Sequence, residues 1–320
     1  MASIPTRRLR ILTWHVHGNY LYYLTQVPHD FYLVVDAARS THHTGRSGSL
    51  PWGANVHEAP ASALRDMQFD LVLHQSRDTW EVDRLTLLSE AQRRLPCVYL
   101  EHDPPQEHPT DTRHWAANAG TALVHVTDFN ALMWDSTSAA ITRVIDHGVL
   151  PLTDARYSGE RESGIVVVNN LDLRGRRLGN DVYADMARRI PLVLVGMGSE
   201  RCGGEGEVPN RALPARVAQH RFFFNPIRYT SLGLAVIEAM MVGTPVVGLA
   251  TTELVTVIRN GENGFLDTRL DRLEDAARRL LRDPGLAREM GAAGRRSAVE
   301  RFAIGRFVDD WLVLLRELAG

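Results

Sequence analysis

The sequence predicts two domains of the α/β class, each built on a doubly wound parallel sheet. Short β-branched and aliphatic runs alternate with longer helical patterns, which is typical of parallel strands joined by helices. A polar, turn-rich segment at 150–164 interrupts this alternation, which then starts again. With 320 residues, the chain is long enough for two separate cores. We expect an N-terminal domain over 1–155, a C-terminal domain over 156–305, and a final helix over 306–320 that could cross back to the first domain.

Six short apolar runs predict the strands of the first domain, and four predict those of the second. The runs are 10–16, 30–35, 70–75, 97–102, 122–127 and 142–148, then 165–170, 191–196, 221–226 and 244–250. Helical patterns lie between them, at 83–95 in the first domain and after 177, after 232 and from 271 onward in the second. Because ligands of such folds bind at the carboxyl ends of the strands, we expect a binding cleft where the two domains face each other.

Composition excludes several classes of protein. The formal net charge is only −2, which argues against nucleic acid as a partner. Cys97 and Cys202 are far apart and predict no disulfide framework, so a reducing cytoplasm is the expected location. No signal-peptide pattern follows the basic N-terminal residues, and no apolar run is long enough to span a membrane. Peripheral contact of a basic face with the inner membrane surface stays open.

The chain contains no lysine, so all 36 of its basic residues are arginines. Codon bias is the simplest explanation, yet the consequence is chemical. Any phosphate that side-chain charge holds must be held by arginine or by a protonated histidine. Arginine suits this task because its planar guanidinium group binds phosphate oxygens in a bidentate way.

The stretch TSLGLAVIEAMMVGTPVV, at 230–247, holds one acid in an otherwise apolar helix. Gly233 lets a ligand approach the backbone, and the free N–H groups of the helix start beyond it suit an anion. Glu238 lies five residues further on, where a carboxylate could accept hydrogen bonds from a vicinal diol such as ribose. This spacing is consistent with a nucleoside diphosphate. The alternative is a partly buried acid that serves only a local hydrogen bond.

The longer segment NPIRYTSLGLAVIEAMMVGTPVVGLATTELVTVIRNGENGFL, at 225–266, resembles the nucleotide-binding motif of family 4 retaining glycosyltransferases of GT-B fold. The segments 95–105, 142–151, 192–200 and 300–315 are also similar to parts of that family. The resemblance implies two Rossmann-like domains facing across a cleft. It also implies transfer of a sugar from a nucleotide-diphosphate donor, with no cofactor and no metal.

The resemblance assigns the donor-binding residues of the second domain. It places Glu238 on the ribose and the helix start on the donor, through Thr230, Ser231, Leu232, Gly233 and Leu234. The family has a glutamate where this chain has Thr230, and that acid touches a hydroxyl group of the donor sugar. The nucleotide-binding half of the motif is therefore intact, whereas the half that contacts the sugar is altered.

The resemblance also implies residues that act on the phosphates and on the reacting sugar. The family binds the diphosphate with an arginine and a lysine; here Arg174 and Arg177 are the candidates, with Arg176 beside them, and a solvated surface loop is the alternative. In the first domain, Gly18 would lie by the donor phosphates and His102 by the reacting sugar. His15, His17 and Tyr20 are weaker candidates for the acceptor side, since aromatic residues at helical spacing are more often core.

Twelve of the thirteen histidines lie in the first 150 residues, which raises the question of a metal site. His102, His108 and His114 are six residues apart each, not the three or four that place two ligands on one helix face. Prolines in the same segment also prevent a regular helix. We therefore predict no metal, and interpret His108 and His114 as loop residues near the acceptor.

The sequence thus favours a retaining glycosyltransferase in which the acceptor hydroxyl attacks beside the leaving phosphate. The acceptor could be a glycan, a lipid-linked or a small molecule, as in assembly of cell-surface polysaccharide or glycolipid. Two alternatives stay open: a nucleotide- or glycan-binding protein whose activity is lost or depends on a partner, and an epimerase or phosphorylase of the same fold. A dehydrogenase is disfavoured because the Gly-x-Gly at 196–198 lacks the rest of its fingerprint. The base, the sugar and the oligomeric state stay open.

Overall fold

The structure, a computed structural model, describes residues 7–319 and divides the chain into two compact units. The first unit takes the chain up to Gly148 together with the residues from Ile304 onward, and the second runs from Val149 to Ala303. The C-terminal helix (Ile304–Ala319) thus belongs to the first unit. Residues 1–6 and 320, which fall in the predicted first domain and final helix, lie outside the described residues.

The first unit is built on a parallel sheet of seven strands, counted over the described residues. The strands are β1 (Arg10–Thr13), β2 (Asp30–Val35), β3 (Val56–Pro60), β4 (Leu71–His74), β5 (Cys97–Glu101), β6 (Thr121–His125) and β7 (Ile141–Val144), in the order β3-β2-β1-β4-β5-β6-β7. Ile11 and Leu12 of β1 are buried between neighbours on both sides, which is why the strand reads as a continuous apolar run. The predicted strands are confirmed, and β3 is an additional one.

The helices of the first unit are short. They are α1 (Gly18–Leu24), a 3₁₀ helix (Ala61–Asp66), a π-helical turn (Thr79–Asp83), α2 (Arg84–Thr86), α3 (Glu90–Arg93) and α4 (Asp128–Met133). The prediction of one helix over 83–95 is wrong. A capping box at Ser89 starts a new helix there, because its hydroxyl accepts the Gln92 N–H while the Gln92 side chain accepts the Ser89 N–H.

The second unit is built on a parallel sheet of five strands within the described range 149–303. They are β8 (Arg161–Val167), β9 (Leu192–Val195), β10 (His220–Asn225), β11 (Val246–Leu249) and β12 (Gly264–Asp267), in the order β12-β11-β10-β8-β9. The helices are α5 (Leu171–Arg174), α6 (Asn180–Ala187), α7 (Leu213–Gln219), α8 (Leu234–Val242), α9 (Leu254–Val257), α10 (Leu270–Arg282) and α11 (Pro284–Phe302), with 3₁₀ turns at Gly175–Leu178 and Ser199–Cys202. The predicted strands are confirmed, and β12 is added.

The apolar helix α8 is central to the second unit. Its residues from Val236 to Val242 are buried, so it is apolar on every side rather than amphipathic. Gly243 ends it in the left-handed conformation, with φ 89°. A Cβ added at Gly291 of α11 would lie 1.9 Å from the Gly243 carbonyl oxygen, so only glycine permits this packing distance. Tight packing from several sides therefore fixes the position of α8.

No helix within residues 7–319 is both long enough and apolar enough to cross a membrane.

Candidate functional site

The start of α8 is open in the second unit. Gly233 precedes the helix in an extended conformation (φ −71°, ψ 134°), and no side chain of the described residues caps the helix. A Cβ added at Gly233 would meet no described atom within 4 Å. Ser231 and Leu232 are buried, whereas Thr230, Gly233 and Leu234 are partly exposed. The first N–H groups of a helix have no partner within it, so this opening suits a negatively charged group.

Glu238 lies in the second turn of α8. It is the single charged residue in the helix sequence LAVIEAMMV, and it is 8% exposed. Leaving a carboxylate in such surroundings is costly unless it accepts hydrogen bonds. A carboxylate can accept hydrogen bonds from hydroxyl groups, and the role of Glu238 toward a ribose stays a prediction.

The predicted arginines lie in a turn that follows β8. Arg174 ends α5 and is exposed, and Arg177 is half-buried. Arg176 is directed to Asp181, 2.6 Å from its carboxylate oxygen. The Arg177 carbonyl oxygen accepts the backbone N–H groups of Arg228 and the following tyrosine, at 3.1 and 3.2 Å. These bonds place the arginine turn beside the segment that leads into α8.

Arg228 was not predicted as a site residue, yet it holds this arrangement together. Its Nη1 and Nη2 atoms donate to the two carboxylate oxygens of Asp181 at 2.5 and 2.8 Å, and Nη1 also donates to the Arg176 carbonyl oxygen at 2.9 Å. These hydrogen bonds with Arg228 lower the pKa of Asp181. Gly179 (φ 80°) completes the contact, since an added Cβ would lie 1.9 Å from the Pro226 carbonyl oxygen. The arginine turn and the entry to α8 are therefore joined by hydrogen bonds and by a close backbone contact.

Thr252 lies beside the same helix start in a strained conformation. Its φ is 50°, which a β-branched residue rarely adopts. Its hydroxyl donates to the Ser231 carbonyl oxygen at 3.4 Å. The next residue, Glu253, is buried and forms an ion pair with Arg301 at 2.8 Å. The first bond joins the turn after β11 to the residues that enter α8, and the ion pair joins it to α11. Strain of this kind is common at ligand-binding sites.

The first unit has its own group of candidate residues where β1, β4 and β5 end. His102 follows β5; its ring centre lies 4.0 Å from that of His17 and 4.7 Å from that of Tyr20. Its Nε2 is 3.1 Å from the Oε1 atom of Gln75. Burial is the main reason that the pKa of His102 lies well below its usual value, and the neighbours His17 and His147 lower it further. His102 is therefore neutral at neutral pH.

His15 and Gly18, the other predicted residues of this unit, lie together at the turn before α1. The Nδ1 atom of His15 is 2.8 Å from the Gly45 carbonyl oxygen, so this nitrogen donates. A Cβ added at Gly18 would lie 3.0 Å from the His15 Nε2 atom. Trp52 packs edge-on against the His15 ring. His15 thus anchors the loop that follows β2, and its role toward an acceptor stays a prediction.

His114 is buried, whereas His108 is exposed. The Ala116 N–H donates to the Nδ1 atom of His114, so Nε2 carries the proton and donates to Glu101 at 2.9 Å. Burial lowers the pKa of His114 to about 3 and raises that of Glu101 to about 8. His114 thus lies in a loop, as predicted, but its side chain is buried, and its place near an acceptor stays a prediction. Residues 7–319 contain no group of three or more side chains that could hold a metal.

Comparisons with known proteins show what this chain is similar to in sequence and in structure. Residues 199–283 match the family model described as glycosyl transferases group 1. The sucrose-phosphate synthase of Thermosynechococcus elongatus has a similar structure, with a TM-score of 0.69 and 19% identity over 98% of this chain and 99% of that one. Anabaena HepE in complex with UDP and glucose gives a TM-score of 0.70 and 16% identity over 97% and 100%. The resemblance to the GT-B glycosyltransferases is confirmed.

The group 1 match covers the part of the chain that holds Gly233 and Glu238, and it begins after the arginine turn at Arg174–Arg177. N-acetyl-alpha-D-glucosaminyl L-malate synthase of Bacillus anthracis is 35% identical over 173 residues, which are 48% of this chain and 45% of that protein. The chain spans 21%, 27% and 45% of three curated relatives that it matches. The similarity of the structures extends over 97–98% of the chain, whereas the family-model match lies within the second unit.

Proposed function

We propose that the chain is a retaining glycosyltransferase that moves a sugar from a nucleotide-diphosphate donor to an acceptor hydroxyl group. The observation that carries this proposal is the open start of α8 at Gly233 with the buried Glu238 one turn further on, inside the segment that matches glycosyl transferases group 1. An anion site and a diol-binding acid at this spacing fit the phosphates and the ribose of one nucleotide.

The second unit supplies the groups that stabilise the leaving diphosphate. Its negative charge would be received by the first N–H groups of α8 and by Arg174 and Arg177, while Glu238 accepts hydrogen bonds from the ribose. Fixed donors directed at developing charge are among the largest contributions to catalysis. In this mechanism arginines do the work that a metal ion does elsewhere, so we propose a reaction without a metal or another cofactor.

The first unit supplies His102 to the reacting sugar. Positive charge develops on the sugar as its bond to phosphate breaks. A neutral imidazole can accept a hydrogen bond from a sugar hydroxyl group without opposing that charge, and burial keeps His102 neutral. The acceptor hydroxyl would attack beside the leaving phosphate, which takes its proton. The reaction therefore needs no nucleophile from the protein.

UDP-sugars are the first donors to test. Crystal structures of Anabaena HepE, one of the proteins of similar structure, contain UDP, UDP and glucose, or UDP-glucose. The acceptor we propose is a glycan, a lipid-linked or a small hydroxyl-bearing molecule, as in polysaccharide or glycolipid assembly.

A second function, nucleotide or glycan binding without transfer, is favoured by Thr230. In the resembling family an acid at this position contacts the donor sugar, and threonine is shorter and neutral. Thr230→Glu should therefore change the preference among donor sugars and leave the affinity for free UDP within about twofold. A large loss of UDP affinity would contradict the placement of Thr230 at the sugar.

Transfer and stereochemistry are tested together. The protein is incubated with UDP-sugars and a panel of hydroxyl acceptors, UDP release is followed, and the anomeric configuration of the product is read by proton NMR. The proposal predicts a product with the anomeric configuration of the donor. An inverted product would contradict the retaining mechanism. Stabilisation by UDP without release of UDP from any donor would favour the binding protein.

A further inference from the structure

Gln75 is a buried polar side chain at the end of β4. Because β4 lies between β1 and β5 in the sheet, Gln75 stands between the residues that end or follow those two strands. The residue is only 4% exposed. Its side chain contacts Thr13 and Trp14 on one side and His102 on the other. Both polar atoms of its side chain are thus bonded within the first unit.

The partners of Gln75 determine which way its amide group points. Its Nε2 atom lies 3.3 Å from the Trp14 carbonyl oxygen and 3.2 Å from the Thr13 hydroxyl oxygen. A carbonyl oxygen can only accept, so the NH₂ group must face it. The reversed amide would bring two acceptor oxygens together in a buried site, at the cost of unsatisfied polar groups. The oxygen of Gln75 therefore faces His102.

The amide oxygen in turn determines the tautomer of His102. It lies 3.1 Å from Nε2 and has no proton to give, so Nε2 must donate. Nδ1 is then the nitrogen that accepts. The titratable groups that face His102 are His17 and Tyr20 at α1 and His147 after β7. They do not favour a charged ring, because the two histidines lower the pKa of His102 in addition to the lowering caused by burial.

We propose that Gln75 is a positioning residue that holds His102 as the Nε2–H tautomer, so that Nδ1 accepts a hydrogen bond from a hydroxyl group of the bound sugar. The ligand atom recognised is a hydroxyl hydrogen, and a group that offers only acceptors, such as a carboxylate, is disfavoured at this position. The inference about the sugar rests on the proposed function, whereas the tautomer is a property of the protein alone.

Nitrogen NMR of the full chain labelled with ¹⁵N-histidine measures the tautomer directly. The His102 signals are assigned by their absence in His102→Gln. At neutral pH we expect Nε2 to give the shift of a protonated ring nitrogen and Nδ1 that of an unprotonated one. A protonated Nδ1, or a mixture of tautomers, would overturn the proposal.

Variants separate the role of Gln75 from a general effect on folding. Gln75→Met removes the acceptor, so the two nitrogen shifts of His102 should move toward each other. The matched control is Gln92→Met, because Gln92 is another buried glutamine of the first unit that donates to two carbonyl oxygens, those of Leu64 and Met67. Unchanged His102 signals in folded Gln75→Met would contradict the proposal.

Kinetics test the contact with the sugar. We expect Gln75→Met to lower kcat about tenfold, the effect typical of residues that orient a functional histidine, with little change in KM for the nucleotide-sugar donor. Equal kcat values for wild type and Gln75→Met would contradict the proposed hydrogen bond between the sugar and the Nδ1 atom of His102. If the wild type transfers no sugar at all, the proposed function fails, and the NMR result still decides the tautomer. If Gln75→Met does not fold, the wild-type spectrum decides it.

Discussion

The ends of the strands carry neutral polar groups in the first unit and cationic groups in the second. In the first, Gln75 and the uncharged His102 lie side by side. In the second, Arg174 and Arg177 lie in the turn that follows β8. A leaving diphosphate needs positive charge, whereas a sugar on which positive charge develops is better served by neutral acceptors. Under the proposed function, the cationic groups suit a leaving diphosphate and the neutral groups suit a sugar.

The aromatic composition lets experiments follow the two units separately. All six tryptophans belong to the first unit, at positions 14, 52, 80, 115, 134 and 311, and the second unit contains none. Tryptophan fluorescence therefore reports unfolding of the first unit, whereas far-ultraviolet circular dichroism reports both.

The largest effect is expected in the second unit, at the contact between the arginine turn and the entry to α8. Gly179→Ala would place a Cβ 1.9 Å from the Pro226 carbonyl oxygen. We expect a loss of about 4 kcal/mol in the free energy of unfolding, because two backbone segments must move apart. Urea unfolding followed by circular dichroism measures it.

Gly203→Ala is the matched control for this prediction. Gly203 has a similar backbone conformation to Gly179 (φ 75° against 80°), and an added Cβ would meet no described atom within 4 Å. We expect a loss of about 1 kcal/mol, which is the cost of the left-handed conformation alone. Equal losses in the two variants would mean that the contact with Pro226 is unimportant.

An intermediate effect is expected from acid in the first unit. Burial lowers the pKa of His74, His114 and His125 to about 3. In the unfolded chain these histidines take up protons near pH 6.5, so the unfolded state binds more protons below that pH and stability falls as pH falls. Glu101 acts in the opposite sense, because with a pKa of about 8 its folded form already holds the proton over this range.

Each of these groups changes the free energy of unfolding by about 1 kcal/mol per pH unit. His102, whose pKa burial also lowers, adds to the loss in the same direction. We therefore expect the first unit to lose at least about 2 kcal/mol between pH 6.5 and 5.5, measured by urea unfolding with tryptophan fluorescence. Glu101→Gln removes the opposing group and should increase the loss by about 1 kcal/mol. The second unit has one histidine, His220, with its pKa lowered to about 4, and should change by about 1 kcal/mol. A fluorescence midpoint that does not depend on pH would contradict this assignment.

The smallest effect is expected on ligand affinity. Arg228→Met removes the bonds to Asp181 and to the Arg176 carbonyl oxygen, which should loosen the arginine turn and weaken UDP binding about tenfold, roughly the value of one hydrogen bond to a charged group. Arg188→Met is the control, since Arg188 pairs with Asp185 on the same helix at an exposed position. Titration calorimetry measures both. Equal UDP affinities in the two variants would show that Arg228 does not support the site.

The parallel sheets and the start of α8 could be predicted because they depend on local patterns. Apolar runs of four to six residues and the Gly233–Glu238 spacing are visible in the sequence itself. The break at Ser89 was missed because a capping box competes with a helical pattern that continues on both sides. Propensity alone does not show which of the two the chain adopts.

Residues that act through distant partners were not predictable. Arg228 bonds Asp181, 47 positions earlier in the chain, and looks like any other surface arginine until the fold brings the two together. The role proposed for Gln75 depends on its hydrogen bonds with Trp14 and His102, which follow the neighbouring strands β1 and β5. The buried pair of His114 and Glu101 likewise depends on a loop returning to β5. Predicting them from the sequence would require the order of the strands.

The central claim is that α8 binds the nucleotide part of a donor, and titration calorimetry of UDP against wild type and Glu238→Gln tests it most directly. GDP, ADP and dTDP serve as alternative bases. The account predicts that one of these diphosphates binds the wild type and that Glu238→Gln weakens its binding by about 1.5–3 kcal/mol, the value of hydrogen bonds to a charged group. Equal affinity for both proteins, or no binding by any diphosphate, would contradict the claim.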